Sequence, residues 1–98
     1  MRAALFAMAA FAAFSAAAQD TQGRNLAAGC AICHGTAGKP AAGAPVIPLA
    51  GLPRDHIAAQ MRAFRDGTRP ATVMHQIAKG YTDAQIEAMA AWFAAQPR

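Results

Sequence analysis

Apolar residues in the middle of the chain recur with the period of an amphipathic helix. Ile57, Met61 and Phe64 are spaced i, i+4 and i+7, so they share one helical face. Pro53 precedes this stripe and Gly67 follows it, and these residue types commonly begin and end helices. The pattern predicts a helix of about three turns between Pro53 and Gly67.

A second apolar stripe lies near the end of the sequence. It consists of Ile86, Met89, Ala90 and Phe93. Immediately before it, Thr82 and Gln85 have the spacing of a capping box, in which each side chain bonds the other residue's backbone N–H. A last helix is therefore predicted from the N-cap Thr82 to about Ala95.

The rest of the pattern predicts two shorter helices and one long loop. Helix-forming residues occupy positions 21–31, and a short helix is expected over residues 72–79. Residues 35–53 contain four glycines and four prolines, a density that excludes a regular helix or a central strand. No strand pattern occurs, so the chain is predicted to be all-α, with three main helices and a short one. A loop this long in a compact domain is usually functional or surrounds a bound group such as a cofactor.

The first 18 residues have the features of a secretory signal peptide. Arg2 is followed by an uncharged run rich in alanine and phenylalanine, which ends in three alanines, Ala16 to Ala18. The run is too short and too rich in alanine for a membrane-spanning helix, which needs about 20 strongly apolar residues. Cleavage after Ala18 would leave residues 19–98 as one small domain, exported to the periplasm and not stably inserted in a membrane.

The two cysteines of the chain, Cys30 and Cys33, lie three positions apart. A disulfide between them would close almost no loop and would constrain the unfolded chain little. A domain this small buries a modest share of its surface and often needs a cross-link or cofactor to complete its core. The cysteines are therefore expected to react with a cofactor or substrate rather than to form a stabilising disulfide.

The motif Cys30-Ala31-Ile32-Cys33-His34 is the pattern of covalent haem attachment. Two thiols one helical turn apart can add to the vinyl groups of one porphyrin, and the adjacent imidazole then reaches the iron. A zinc site would need a second cysteine pair, and a thioredoxin-like dithiol would need a βαβ context. One covalent haem c is therefore predicted, with His34 as an axial ligand of its iron.

The second axial ligand has five candidates: Met61, Met74, Met89, His56 and His75. Met61 and Met89 fall on the apolar stripes, so they are expected to pack in the core. His56 is interpreted as a surface histidine. Met74 lies in a short segment between glycine- and proline-containing joints, where the chain can return over the opposite haem face. Met74 is predicted to be the ligand, with His75 as the alternative and a vacant position as the third possibility.

Together, these segments resemble a class I c-type cytochrome. The similar residues are Cys30 to Gly35, the Leu49-Ala50-Gly51 turn, residues 60–70, Met74 and the closing helix. The resemblance is strongest to cytochrome c4 half-domains and to the cytochrome c subunit of flavocytochrome c sulfide dehydrogenase, whose methionine segment is similar to residues 69–80. It implies a small fold wrapped around one haem, with Met74 as axial ligand. It also implies that Gly23 and Leu26 of the first helix lie near Trp92 and Phe93 of the last.

The loop departs from this family at one position. Where the family usually has Pro-x-Leu-x-Gly, Ile47 occupies the proline position and Pro48 the next. The proline carbonyl would accept the Nδ1 proton of the haem histidine, so which carbonyl bonds His34 is left open. An apolar shell is expected around the haem, with Leu49 as a cofactor-binding residue; its members are Ile47, Leu49, Ile57, Phe64 and Ile77.

A histidine and a methionine together would leave the iron no open position, which favours electron transfer over catalysis by this chain. The resemblance implies the electron-accepting subunit of a flavin-dependent sulfide dehydrogenase, with a flavoprotein or another periplasmic redox protein as partner. The alternatives are a free cytochrome c4- or c5-like carrier and a haem enzyme or gas sensor with a labile sixth ligand.

Positive charge is concentrated between Arg54 and Lys79, with five cations and two carboxylates. This excess could steer an acidic partner, or it could be an ordinary solvated helix face with Arg62 and Asp66 paired at i and i+4. Export makes nucleic acid implausible as a partner.

Overall fold

The computed structural model describes residues 21–98, and its helices are joined by turns and loops without any strand in this range. Helix α1 occupies residues 21–28, followed by α2 (Ala31–His34), a 3₁₀ turn (Thr36–Gly38), α3 (Arg54–Asp66), α4 (Met74–Ala78) and α5 (Asp83–Ala94). The all-α prediction is confirmed, with α1, α3 and α5 as the main helices. The predicted signal peptide and its cleavage site lie outside the described residues.

Two short elements were not predicted. The cysteine motif forms its own helical turn, α2, because α1 ends at residue 28 and the chain turns at Gly29 and Cys30. The long loop contains the 3₁₀ turn, in which Ala37 adopts a left-handed φ of 56°. None of the helices in residues 21–98 has both the length and the apolar character needed to cross a bilayer.

The ends of α3 and α5 follow the predicted signals. Gly67 ends α3 with a left-handed φ of 80°, and the N–H of Thr68 bonds the carbonyl of Ala63 at 3.0 Å. The capping box of α5 is present: the Thr82 N–H donates to Gln85 Oε1 at 2.9 Å, and the Gln85 N–H donates to Thr82 Oγ1 at 3.2 Å. The end of α3 and the start of α5 therefore lie at the residues that the local sequence predicts.

Helices α1 and α5 pack closely at Gly23. A Cβ atom at this position would lie 2.6 Å from the Ala88 carbonyl oxygen and 3.1 Å from Trp92 Cβ. Only glycine fits such an approach without a shift of the backbone. This contact agrees with the arrangement that the resemblance implies, and Leu26 packs against the same core.

The core is small and contains many alanines. Its buried members are Ala27, Ile57, Ala58, Ile86, Met89, Ala90 and Phe93. Met89 is buried, as predicted, whereas Met61 is only partly buried against this cluster.

Ion pairs join the outer faces of α3 and α5. Arg54 and Arg62 contact Glu87 at 2.7 and 2.6 Å, and Arg65 contacts Asp83 at 2.8 Å. The expected pair of Arg62 with Asp66 is wrong: Arg62 points to α5, and Asp66 is paired with Arg65 at 3.6 Å. The cross-helix carboxylates are better placed for Arg62 because α5 lies alongside α3.

Candidate functional site

A cavity of about 700 Å³ lies between α2, the loop after it, α3 and the segment that leads into α4. Its size is that of a cofactor pocket, and most of its wall is apolar. The five residues predicted for the site, Cys30, Cys33, His34, Leu49 and Met74, all line it. Residues far apart in sequence are thus brought to one cavity.

The two cysteines face this cavity from neighbouring positions. Cys30 precedes α2 and is half-buried, while Cys33 lies within α2 and is exposed. Burial raises the pKa of the Cys30 thiol, and the neighbouring Cys33 raises it further. Both sulfurs are free and open to one planar group in the cavity.

His34 is held by the main chain of the long loop. Its Nδ1 lies 2.8 Å from the carbonyl oxygen of Ile47. Because a carbonyl oxygen can only accept, Nδ1 is the donor in this bond, and Nε2 is the ring nitrogen that remains for a metal. The carbonyl left open by the sequence is therefore that of Ile47, the residue in the family's proline position.

Met74 lies on another wall of the cavity, at the first turn of α4. Residues 70–73 line the same wall immediately before it. His75, the alternative ligand, is absent from the cavity wall, and its Nδ1 is buried with no hydrogen-bond partner in residues 21–98. Of the two, the geometry makes only Met74 available to a group in the cavity.

Met61, Met89 and His56 also line the cavity, although sequence reasoning placed them elsewhere. Met89 is buried in the core at the same time, so its side chain is shared between core and cavity wall. His56 is exposed and reaches the cavity edge. Its spacing of four residues from Gln60 on α3 is the signal that could have placed it there.

The cavity leaves large apolar side chains exposed around it. Ile47 and Val73 are each 56% exposed and Ile77 is 41% exposed, and all three lie on its wall. A flat apolar group in the cavity would cover them. Two thiols, an imidazole with a free Nε2, a thioether and this apolar lining fit a covalently attached haem.

Sequence comparisons give relatives of one kind, although no family model matches the chain. The chain is 46% identical over 69 residues to a thiosulfate dehydrogenase electron acceptor of Thiomonas intermedia, covering 68% of this chain and 31% of that protein. It is 37% identical over 75 residues to the cytochrome subunit of sulfide dehydrogenase of Chlorobaculum tepidum, covering 76% and 66% respectively.

A third relative is matched over most of its length. Cytochrome c-554(548) of Halomonas halodenitrificans is 35% identical over 71 residues, which cover 68% of this chain and 83% of the relative. By contrast, the chain spans about a third of the thiosulfate dehydrogenase electron acceptors. With the helical fold and the cavity formed by the cysteine motif and Met74, this similarity shows that the chain belongs to the class I c-type cytochromes, electron-transfer proteins that carry a covalently bound haem c.

Proposed function

We propose that this chain is the electron-accepting cytochrome subunit of a flavin-dependent sulfide dehydrogenase. The proposal is supported by the similarity to a sulfide dehydrogenase cytochrome subunit, which extends over 75 residues. The observation that supports the electron-transfer role is that Cys30, Cys33, His34 and Met74 all line one cavity.

In this proposal, Cys30 and Cys33 would form the thioether bonds to the haem, and His34 Nε2 and Met74 Sδ would be the ligands of its iron. Leu49 packs against the haem from the loop. When bound, the haem supplies a one-electron change at its iron. The chain's own residues set the conditions for that change: the Ile47 carbonyl orients the His34 ring, and the cavity wall surrounds the group with mostly apolar side chains.

The ligand pair also sets the expected reactivity. A thioether is a soft ligand that favours ferrous iron, so a midpoint potential near or above zero is expected. If His34 and Met74 both bind the iron, it would have no place for substrate or dioxygen. The chain alone would then transfer electrons and catalyse no reaction.

The expected location of the protein is the periplasm. Residues 1–18 would direct export and be removed, leaving residues 19–98 as a single monohaem domain. The partner would be a flavoprotein subunit in the same compartment.

A second candidate is the electron acceptor of a thiosulfate dehydrogenase. It is favoured by two relatives of that name, 46% and 41% identical to this chain. Support for this candidate is weaker because the chain covers only 31% of each of those proteins.

Purification from native extract, followed by gel filtration at low and high salt, separates the candidates. A subunit is expected to elute with a flavin-containing protein at both salt concentrations, since obligate interfaces are large and apolar. Addition of sulfide should then reduce the haem, as read from its absorption spectrum. Reduction by thiosulfate and not by sulfide would favour the second candidate. Elution alone at both salt concentrations would contradict both subunit roles and favour a free carrier.

A further inference from the structure

The carbonyl that bonds His34 belongs to a loop with few hydrogen bonds of its own. Within the described part of the chain, residues 40–48 make two. The Ala44 N–H donates to the Ala41 carbonyl at 3.0 Å, and the Ile47 carbonyl lies 2.8 Å from His34 Nδ1. Most of this segment is exposed. Because the loop has so little internal structure, its course depends on how its two ends are held.

The two ends of the loop meet at Gly38. Its carbonyl oxygen accepts from the N–H of Leu49 at 2.9 Å and from the N–H of Ala50 at 3.1 Å. The next residue, Gly51, donates its N–H to the carbonyl of Phe93 in α5 at 2.9 Å. These bonds join the ends of the loop to each other and to α5. We call Gly38 and residues 49–51 the loop neck.

Arg98 holds the loop neck from the surface of the protein. Its Nε and Nη2 both donate to the carbonyl oxygen of Gly51, each at 3.3 Å. The stem of its side chain covers the same residue, since Arg98 Cγ would lie 2.5 Å from a Cβ at position 51. A guanidinium donates charge-assisted hydrogen bonds, which are stronger than those between neutral groups. Gly51 is therefore bonded on both sides, through its N–H to Phe93 and through its carbonyl to Arg98.

We propose that Arg98 is a positioning residue for His34. By holding the loop neck, it keeps the Ile47 carbonyl on Nδ1 and so keeps the imidazole oriented with Nε2 toward the iron. Leu49, in the neck, is two residues from Ile47, a span of at most about 7 Å of chain, so a shift of the neck also moves this carbonyl. The inference rests on His34 as the proposed iron ligand and not on the identity of the redox partner.

The proposal implies a local opening in which the neck and the Ile47 carbonyl move together. The Nδ1 proton of His34 exchanges with solvent while its bond to Ile47 is broken, so its exchange rate measures how often this opening occurs. Loss of the hydrogen bonds from Arg98 should raise the population of the open state, and hence this rate, about two- to tenfold.

The test is hydrogen exchange of the His34 Nδ1 proton, followed by NMR in the ferrous holoprotein, for the wild type, Arg98→Met, Arg98→Lys and Arg24→Met. Arg98→Met keeps an apolar stem over Gly51 and removes the donors. Arg24→Met is the matched control, since Arg24 is an exposed arginine of α1. Exchange should be faster in Arg98→Met, unchanged in Arg24→Met and largely restored in Arg98→Lys, whose ammonium can donate to the same carbonyl. Equal exchange in Arg98→Met and the wild type, or in Arg98→Met and Arg98→Lys, would overturn the proposal.

Gly23→Ala separates positioning from a general loss of stability. This substitution disturbs the contact of α1 with α5, away from the loop neck, so it should lower the stability of the protein and leave the exchange of the His34 proton unchanged. If Gly23→Ala accelerated this exchange as much as Arg98→Met, the proton would exchange through unfolding of the whole domain, and Arg98 would have no positioning role.

A measurement on the wild type needs no substitution. The N–H groups of Leu49, Ala50 and Gly51 should exchange with the same opening free energy and the same dependence on denaturant as the His34 Nδ1 proton. Much faster exchange of the His34 proton would show that the Ile47 carbonyl moves independently of the neck, which would overturn the inference. The same spectra test the proposed ligand, because the porphyrin shifts the ring protons of an iron-bound histidine far upfield. Ordinary positions for these signals would contradict the site itself, whereas the other outcomes concern Arg98 alone.

Discussion

At the residue scale, the chemistry of this protein depends on which atoms of a side chain are hydrogen-bonded and which line the cavity. His34 uses Nδ1 for the Ile47 carbonyl, which leaves Nε2 as its metal-binding atom. Met74 and His75 are neighbours in sequence, yet only Met74 lines the cavity. The ligand assignment can therefore be tested one methionine at a time.

Replacement of Met74 by leucine is expected to abolish the weak sulfur-to-iron charge-transfer band of the ferric protein and to lower its potential. Met61→Leu is the matched control, since Met61 also lines the cavity but lies on the apolar stripe of α3. The band should persist in that variant. The opposite pattern, with the band lost in Met61→Leu and kept in Met74→Leu, would show that Met61 is the ligand.

The double substitution Cys30→Ser, Cys33→Ser should yield a protein without covalent haem. The reason is that the thiols are the atoms that add to the vinyl groups. Acid–organic extraction is expected to leave the haem on the wild-type chain and to remove any haem that the variant has bound. Retention of the haem by the double variant would contradict thioether attachment.

At the scale of the elements, close packing of α1 on α5 depends on one glycine. In Gly23→Ala the new methyl group would meet the backbone oxygen of Ala88, which cannot rotate away. We expect the free energy of unfolding to fall by about 1–3 kcal/mol, measured by denaturant titration of the holoprotein.

Gly29→Ala is the control for this substitution. A Cβ at position 29 would meet no atom closer than 3.9 Å, and Gly29 has no positive φ. Its stability should be unchanged or slightly raised, because alanine restricts the unfolded chain. An equal loss of stability in both variants would show that the α1–α5 contact is not the cause.

The ion pairs between α3 and α5 make stability depend on pH. Arg62 and then Arg54 hold the pKa of Glu87 below its usual value, and Arg65 and then Arg62 do the same for Asp83. A carboxyl with a lowered folded-state pKa contributes stability above its ordinary pKa and loses that contribution as the pH falls through the lowered value. Unfolding should therefore become easier on acidification, and the effect should be small because the pairs are partly exposed to solvent.

Glu87→Gln is expected to make this acid-dependent loss of stability shallower than in the wild type. Thermal unfolding at a series of pH values measures it. Asp55→Asn is the control, since Asp55 is exposed and has no ion pair among the described residues. If Asp55→Asn flattened the curve as much as Glu87→Gln, the α3–α5 pairs would not be its origin.

At the scale of the whole molecule, much of the positive charge between Arg54 and Lys79 is used internally. Arg54, Arg62 and Arg65 share ion pairs with the two α5 carboxylates Asp83 and Glu87, and Arg69 lines the cavity. We therefore expect the rate of association with a redox partner to fall only weakly as salt is raised, measured by stopped-flow reduction of the haem. The opposite result would be a steep fall of the association rate with salt that disappears when Arg62, Arg65 and Arg69 are neutralised together. That result would show that this face steers the partner electrostatically.

The parts of the molecule that sequence could predict are those specified locally. The capping box at Thr82, the stop at Gly67 and the cysteine motif each depend on residues a few positions apart. The partner of Arg62 and the place of Arg69 depend on how α5 lies along α3 and on the path of the chain after Gly67. Local spacing favoured Asp66 as the partner of Arg62, and tertiary packing gave it Glu87 and Asp83 instead.

The bond between His34 and Ile47 has a consequence for how this sequence can change over evolutionary time. Its acceptor is a peptide carbonyl, which every amino acid supplies, so mutation of residue 47 does not delete it. What this bond requires is the course of the backbone through the loop, whereas the bond itself places no demand on the side chain of residue 47. The bond is therefore compatible with isoleucine at the position where the resembled family usually has proline: the orientation of the histidine depends on the shape of the loop, independently of the codon at this position.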